Sequence, residues 1–265
     1  MMDVLASSFM QRALLAGLVL GALAGYYGAL VVQRRMSFLG VGLSHAAFGG
    51  VALGLWLGLH PLGVAVPFAV GIALLMFGIE RTERLSADTA IGVLFAVSMA
   101  LGIFFLSLRP AATSDAFAYL FGSILGIQRT DLWIIGGVAA LGVGSVLLWG
   151  RWAYATFDRD LAAADGLPVA RDDAMLYVAL AVTTVALAKL VGIVLAAAVL
   201  VIPAATARLW STSFYGMTVG GMLIGAGGTV AGLLAAYAAD LPSGAAIVGV
   251  LALLFGLALL LAPRP

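Results

Sequence analysis

The segment Arg34-Arg35-Met36-Ser37-Phe38-Leu39-Gly40-Val41-Gly42-Leu43-Ser44-His45-Ala46-Ala47-Phe48-Gly49-Gly50 decides how this chain is read. A paired-arginine stop precedes an apolar run that holds one of only two histidines in the sequence. If a helix starts near Ser37, a rise of about 1.5 Å per residue places His45 roughly 12 Å along it. That is close to the middle of a hydrocarbon core about 30 Å thick. An ionisable group at that depth marks a functional site by default.

The rest of the chain agrees that the solvent is lipid. Hydrophobic residues fill 64% of the 265 positions and charged residues only 9%, a balance that no water-soluble domain of this length could cover. Apolar runs separated by short polar breaks place spans near 9–32, 38–59, 62–80, 88–108, 131–150, 174–190, 192–209, 216–238 and 244–262. The first run is too long for a signal-peptide core and lacks a small-residue cleavage site, so it reads as a span. A weaker piece, Ala116 to Ile127, is too short to cross and reads as re-entrant or interfacial. The expected fold is an all-α polytopic transmembrane helix bundle over 1–265, with about nine spans, or eight if the soft Val191-Gly192 break is not a reversal.

Arginine placement sets the expected orientation. With the N-terminus outside, the inner positions hold Arg34, Arg35, Arg81, Arg84, Arg151, Arg159, Arg171, Arg208 and Arg264, and the outer ones hold Arg12, Arg109, Arg129 and Lys189. The excess favours N-out and C-in. The chain holds 34 glycines, and small residues four apart let helix backbones approach where lipid supplies little drive to associate. Gly17, Gly21 and Gly25 have this spacing, as do Gly216 and Gly220, Gly221 and Gly225, and Gly228 and Gly232. Compact helix packing is their plainest use, with conformational gating the alternative.

Other function classes are narrowed by what is missing. The chain has no cysteine, which removes disulfides and thiolate metal sites, and a net charge of +1 gives no support for nucleic-acid binding. Its one lysine, Lys189, follows Ala188, whereas a phosphate-cradling G-x-x-x-x-G-K-[ST] loop needs glycine there. The chain is therefore not expected to be an enzyme that hydrolyses ATP, and an ATP-driven role requires a partner subunit. Its largest hydrophilic insertion is 151–173. Within it Asp158 can cap a short helix that Gly166 and Pro168 stop, with Leu161 and Leu167 beside Arg159, Asp160 and Asp165. On composition this is either a solvated connection or a docking element, since loops of this length are uncommon without a role.

In its order of landmarks the chain resembles the permease subunits of the bacterial metal-ion ABC importers, the zinc, manganese and iron uptake group. The landmarks are Arg34 to Gly50, Ala118-Tyr119-Leu120-Phe121-Gly122, Asp158 to Gly166, Val191-Gly192-Ile193-Val194, Leu200-Val201-Ile202-Pro203-Ala204-Ala205-Thr206-Ala207-Arg208 and Leu241-Pro242-Ser243-Gly244. The resemblance implies a multi-pass protein of the bacterial plasma membrane that works as a homodimer. It also implies two cytoplasmic ATPase subunits and an extracytoplasmic metal-binding protein. The loop then resembles the coupling helix that seats in the ATPase, with Asp158, Arg159, Asp160, Leu161, Gly166 and Leu167 as its contact residues.

In this family the helix after the double arginine usually reads G-D-x-L-x-H, which stacks a carboxylate and the histidine on one face. Here Val41 occupies the carboxylate position. A complete ion site on this one helix is therefore not expected. Imidazole suits zinc and a carboxylate-rich site suits manganese, so the loss tilts the expected cargo toward zinc, with manganese or iron as alternatives. His45, with Ser44 beside it, is the expected contact on the ion path, as a weak site shared by two copies, because an ion bound too tightly would not leave. The plain alternative is that His45 hydrogen-bonds a neighbouring helix with help from Ser44. Ser98, Ser145, Thr183, Thr184, Thr206 and Thr229 are expected to bond the local backbone. His60 reads as an interfacial turn residue. Asp115 and Asp240 read as outer loop charges or delivery-protein contacts.

Three competitors have distinct marks. The iron-chelate and vitamin ABC permeases share part of the pattern but are longer. A secondary transporter would carry paired mid-membrane charges and internal repeats, and neither is evident. An intramembrane enzyme would need a nucleophile and base in reach, and the adjacent Ser44 and His45 point about 100° apart on a helix.

Overall fold

The computed structural model describes residues 7–82, 84–109, 113–122 and 128–262. Arg264, residues 123–127 and the side chains of Asp115 and Arg129, all assigned places above, lie outside the described residues. The described residues form helices and connections with no strand. In chain order the helices are α1 (Ser8–Gln33), α2 (Ser37–Leu57), α3 (Pro61–Glu80), α4 (Ala87–Ser107), α5 (Thr113–Phe121), α6 (Arg129–Phe157), α7 (Arg159–Ala164), α8 (Val169–Val191), α9 (Ile193–Arg208), α10 (Phe214–Ala238) and α11 (Ser243–Leu261).

Eight of these are long and apolar enough to cross a membrane, and α9, with 16 residues, is the short exception. Contacts at the helix ends show how they alternate. At one end Arg34 meets Asp173, Glu80 meets Tyr177, Arg151 meets Asp172 and Arg208 meets Gln33. At the other, Lys189 meets Tyr119 and Asp131, Arg109 meets the Leu55 carbonyl, and Ser243 meets the Leu190 carbonyl. The chain therefore passes from one end to the other in α1, α2, α3, α4, α6, α8, α9, α10 and α11. The expected nine passes are present, and Gly192 is a true reversal.

A 16-residue helix is only about 24 Å long, less than a typical hydrocarbon core. The α8–α9 turn accordingly sits under a cover. Gly192 holds φ of +94° and Gly122, just after α5, holds +76°. A Cβ on Gly122 would lie 2.6 Å from the Val191 carbonyl carbon, and one on Gly192 would strike the Leu120 carbonyl. Non-helical backbone at membrane depth is tolerated where protein covers it. The described half of the weak Ala116–Ile127 piece supplies that cover as α5.

The core lies on α1, α2 and α8, whose most apolar windows are 67, 78 and 72% buried against 17–39% for the other long helices. Glycine explains the tightest seam. Gly21 and Gly25 of α1 lie against Gly225 and Gly221 of α10, so that a Cβ on Gly25 would enter the Gly221 carbonyl and come 2.6 Å from the Met222 nitrogen. Small-residue contacts of this kind maximise dispersion between backbones that lipid does not push together. Pro203 lies inside α9 without ending it.

Gly25→Leu forces backbone apart from backbone with no flexible side chain to yield, and overpacking costs about 1–3 kcal/mol or more. The purified variant is expected to melt several degrees lower in detergent by a tryptophan-fluorescence ramp, whereas Gly71→Leu, with no neighbour within 4 Å of its added Cβ, leaves the melting point in place.

Candidate functional site

His45 sits on the core helix α2, half-buried, with α4 across from it. Its ring meets Phe95 of α4 edge-on, centroids 4.4 Å apart at 85°. The Nδ1 atom is buried with no hydrogen-bond partner. Ser44 does not satisfy it: the Ser44 hydroxyl donates to the Gly40 carbonyl of its own helix at 2.8 Å. Among the described residues no group of three or more histidines and carboxylates is placed to hold a metal ion. The imidazole thus offers an unpartnered nitrogen in an apolar wall, with no three-ligand group around it among the described residues.

The loop residues fold as their order dictates. Asp158 accepts a hydrogen bond from the Leu161 amide at 2.8 Å, which caps α7. Gly166 takes φ of +81° and ends it. Ala162, Ala155 and Val169 form a small apolar seat with Leu167 packed against it, so α7 is pinned to the bundle by one face. Asp160 and Leu161 are exposed on the other, with Leu161 49% accessible. Arg159 reaches back to Asp173 at 2.6 Å.

Asp173 is the centre of that end. It is 3% exposed and also receives Arg34 at 2.6 Å. Arg34 in turn donates from Nε to Thr156 and from Nη2 to the Trp152 carbonyl. Its neighbour Asp172 pairs with Arg151 at 2.7 Å, and the Asp172 carbonyl accepts the Trp152 indole N–H. A polar cavity of about 700 Å³ opens here between the α1–α2 turn, α3, α6 and α8, lined by Arg34, Arg35, Arg81 and Arg159 against Glu80 and Asp173. Its cationic excess suits an anion better than a metal ion.

Sequence reasoning treated Arg34 as a stop and an orientation mark, and it overlooked Asp172 and Asp173. A signal was present: two carboxylates in the first turn of an apolar helix need cations, and in membranes such charges pair. It also overlooked Asp131 at the opposite end, fully buried, 3.5 Å from both Lys189 Nζ and His60 Nε2 and accepting the Gln128 amide. Lys189 also lies over the Tyr119 ring, 4.5 Å from its centroid. His60, read as a turn residue, caps the start of α3 and faces this group. Asp240 is exposed, in a left-handed turn. Of the six hydroxyls expected to bond their own helices, Ser145 and Thr206 do, while those of Ser98, Thr183, Thr184 and Thr229 are buried with no partner.

Known proteins share this arrangement over almost all of its length. A family model described as "ABC 3 transport family" matches residues 6–262. The chain belongs to the ABC 3 transport family. It is similar to the manganese transport system membrane protein MntC of Listeria monocytogenes, at 34% identity over 97% of this chain and 92% of that protein. The manganese import system permease protein ScaB of Streptococcus gordonii is 35% identical, again over 97% and 92%. The structure of PsaBC from Streptococcus pneumoniae in complex with Fab superimposes with a TM-score of 0.88 at 34% identity, covering 99% of this chain and 95% of that one. As an ABC 3 transport protein the chain is a permease of a metal-ion ABC importer and a multi-pass protein of the bacterial plasma membrane. The resemblance read from the six landmarks holds.

Asp173→Ala strands Arg34, which is only 10% exposed, and breaking one side of a buried pair costs about 3–5 kcal/mol. A marked loss of melting temperature is expected for it in detergent. Arg159, 56% exposed, is worth about 1 kcal/mol or less, so Arg159→Ala should melt close to the parent.

Proposed function

We propose that the chain is the membrane-spanning permease of an ATP-driven importer whose cargo is divalent manganese. Two copies enclose one path, with separate ATPase subunits below and a metal-binding protein delivering the ion from outside. The observation that carries this reading is the near full-length similarity to MntC and ScaB, both named for manganese. It favours manganese over the expectation of zinc, which rested on the His45 imidazole and on Val41 in the carboxylate position. Zinc remains the second reading, on that same residue: a site without the carboxylate offers nitrogen more readily than oxygen. The arginine-rich end is the cytoplasmic one.

On this reading His45 is the contact along the path. Its orphaned Nδ1 favours that role over a structural hydrogen bond. Ser44 can offer only lone pairs, since its proton is committed to Gly40. The paired His45 side chains of two copies, with water, give a weak transient site that releases its ion. The exposed face of α7 and its flanks, with Asp158, Arg159, Asp160, Leu161, Gly166 and the half-buried Leu167, seats in the ATPase. The work of hydrolysis belongs to that partner.

Cells expressing the complete complex are expected to accumulate radioactive manganese in preference to zinc, and His45→Ala to abolish uptake while the complex assembles and keeps its basal ATPase rate. Preferential zinc uptake would overturn the cargo, and normal uptake by the variant would overturn the role of His45. The absence of cysteine makes orientation directly testable. In sealed right-side-out vesicles, an impermeant maleimide is expected to label Asp240→Cys at once and Ser211→Cys only after permeabilisation.

A further inference from the structure

The bundle carries an open apolar groove that the transport reading does not use. It has a volume of about 390 Å³, is floored by α8 at Ala174, Val178 and Ala179, and is walled by Leu74 of α3 and by Leu141, Gly144 and Leu148 of α6. From Leu141 to Trp152 it follows roughly 16 Å of helix, about the depth of one leaflet of a core about 30 Å thick. A Cβ on Gly144, one of its lining residues, would meet nothing within 4 Å, so there is free space at that wall. The lining is almost wholly apolar until the arginine-rich end, where Arg171 closes it.

Arg171 is also a wall of a second cavity, about 490 Å³, shared with Arg81 and Arg159. The carboxylates around it are committed elsewhere: Asp172 to Arg151, Asp173 to Arg34 and Arg159, and Asp165 to the Tyr154 hydroxyl. Asp160 is exposed on the rim of that cavity. Arg171 has no ion-pair partner among the described residues, and Arg81 lies over the Phe77 ring with no carboxylate bound. An apolar groove of one-leaflet depth thus opens at its mouth onto two guanidiniums that form no ion pair among the described residues, with Asp160 the one carboxylate lining their shared cavity.

We propose that this is a binding site for one anionic phospholipid, its acyl chain lying along α6 and α8 and its headgroup phosphate on Arg171 and Arg81. The charge at the mouth selects the occupant. A zwitterionic lipid could fill the groove but would bring no net charge to the arginines, and basic pockets between membrane helices recognise acidic headgroups. The proposal stands apart from the identity of the cargo and from His45.

The test uses the full chain in vesicles of equal parts phosphatidylglycerol and phosphatidylethanolamine, extracted into mild detergent and weighed by native mass spectrometry. Phosphatidylglycerol is expected to be retained above its share of the vesicle. Each surface arginine contributes about fivefold to attraction for acidic lipid, so Arg171→Gln should lower the enrichment by about that factor. Gly144→Phe fills the groove and should abolish retention of either lipid, with an unchanged melting temperature showing that the fold is intact. Retention that merely mirrors the vesicle composition overturns the proposal. So does enrichment that survives Arg171→Gln, lipid carried undiminished by Gly144→Phe, or a lipid-free dimer mass showing that a second copy covers this face. Arg171 is exposed, so its variant remains informative even if Gly144→Phe fails to fold.

Discussion

The approach of α1 to α10 through glycine is the contact on which the bundle rests. In lipid there is no water to drive apolar faces together, so helices must gain what they can from dispersion and from backbone proximity. Gly21 and Gly25 bring α1 against Gly225 and Gly221 with no side chain between. This fixes α1 as an axis, and α1 then presents Arg34 at its end to the carboxylates of α8. A side chain at any of these glycines would displace the axis and with it the ion pairs.

The two ends of the bundle solve the same problem differently. At the arginine-rich end the buried carboxylates meet guanidiniums at 2.6–2.7 Å: Asp173 takes both Arg34 and Arg159, Asp172 takes Arg151, and Arg34 also donates to the Thr156 hydroxyl and the Trp152 carbonyl. At the other end a single buried carboxylate, Asp131, faces one lysine and one half-exposed histidine at 3.5 Å, longer than a close ion pair. The first arrangement is tight, with Asp173 and Arg34 each held by more than one group. The second is looser, and it lies beside the covered turn of α8 and α9 that makes nine passes possible.

Most of the fold was legible because span length and polarity are strong, local signals. The nine passes, the cap at Asp158, the stop at Gly166 and the use of the glycines in α1 all follow from residue order. What was not legible depends on partners distant in sequence. Asp173 and Arg34 are 139 residues apart, and nothing in the order of residues pairs them. The hydroxyls of Thr183 and Thr184 were expected to bond their own helix and do not, because helix propensity does not report rotamer choice in a packed wall. The candidate site was legible only in part: His45 stood out as an ionisable residue in lipid, but its edge-on packing on Phe95 with Nδ1 unpartnered is a property of how α2 meets α4. The expectation of zinc leaned on one helix, and the relatives named for manganese favour the alternative, since Val41 tells what that helix lacks and not what an assembled path supplies.

The shared carboxylate of Asp173 makes the loop helix part of a linkage. Arg159 pulls on it from α7 and Arg34 from α1, at equal distances of 2.6 Å. The Arg159 pair is the more exposed and weaker of the two, so loosening α7 leaves Asp173 held by the buried Arg34. The exposed face of α7 is thereby joined through one buried carboxylate to the end of α1 and to the first turn of α8.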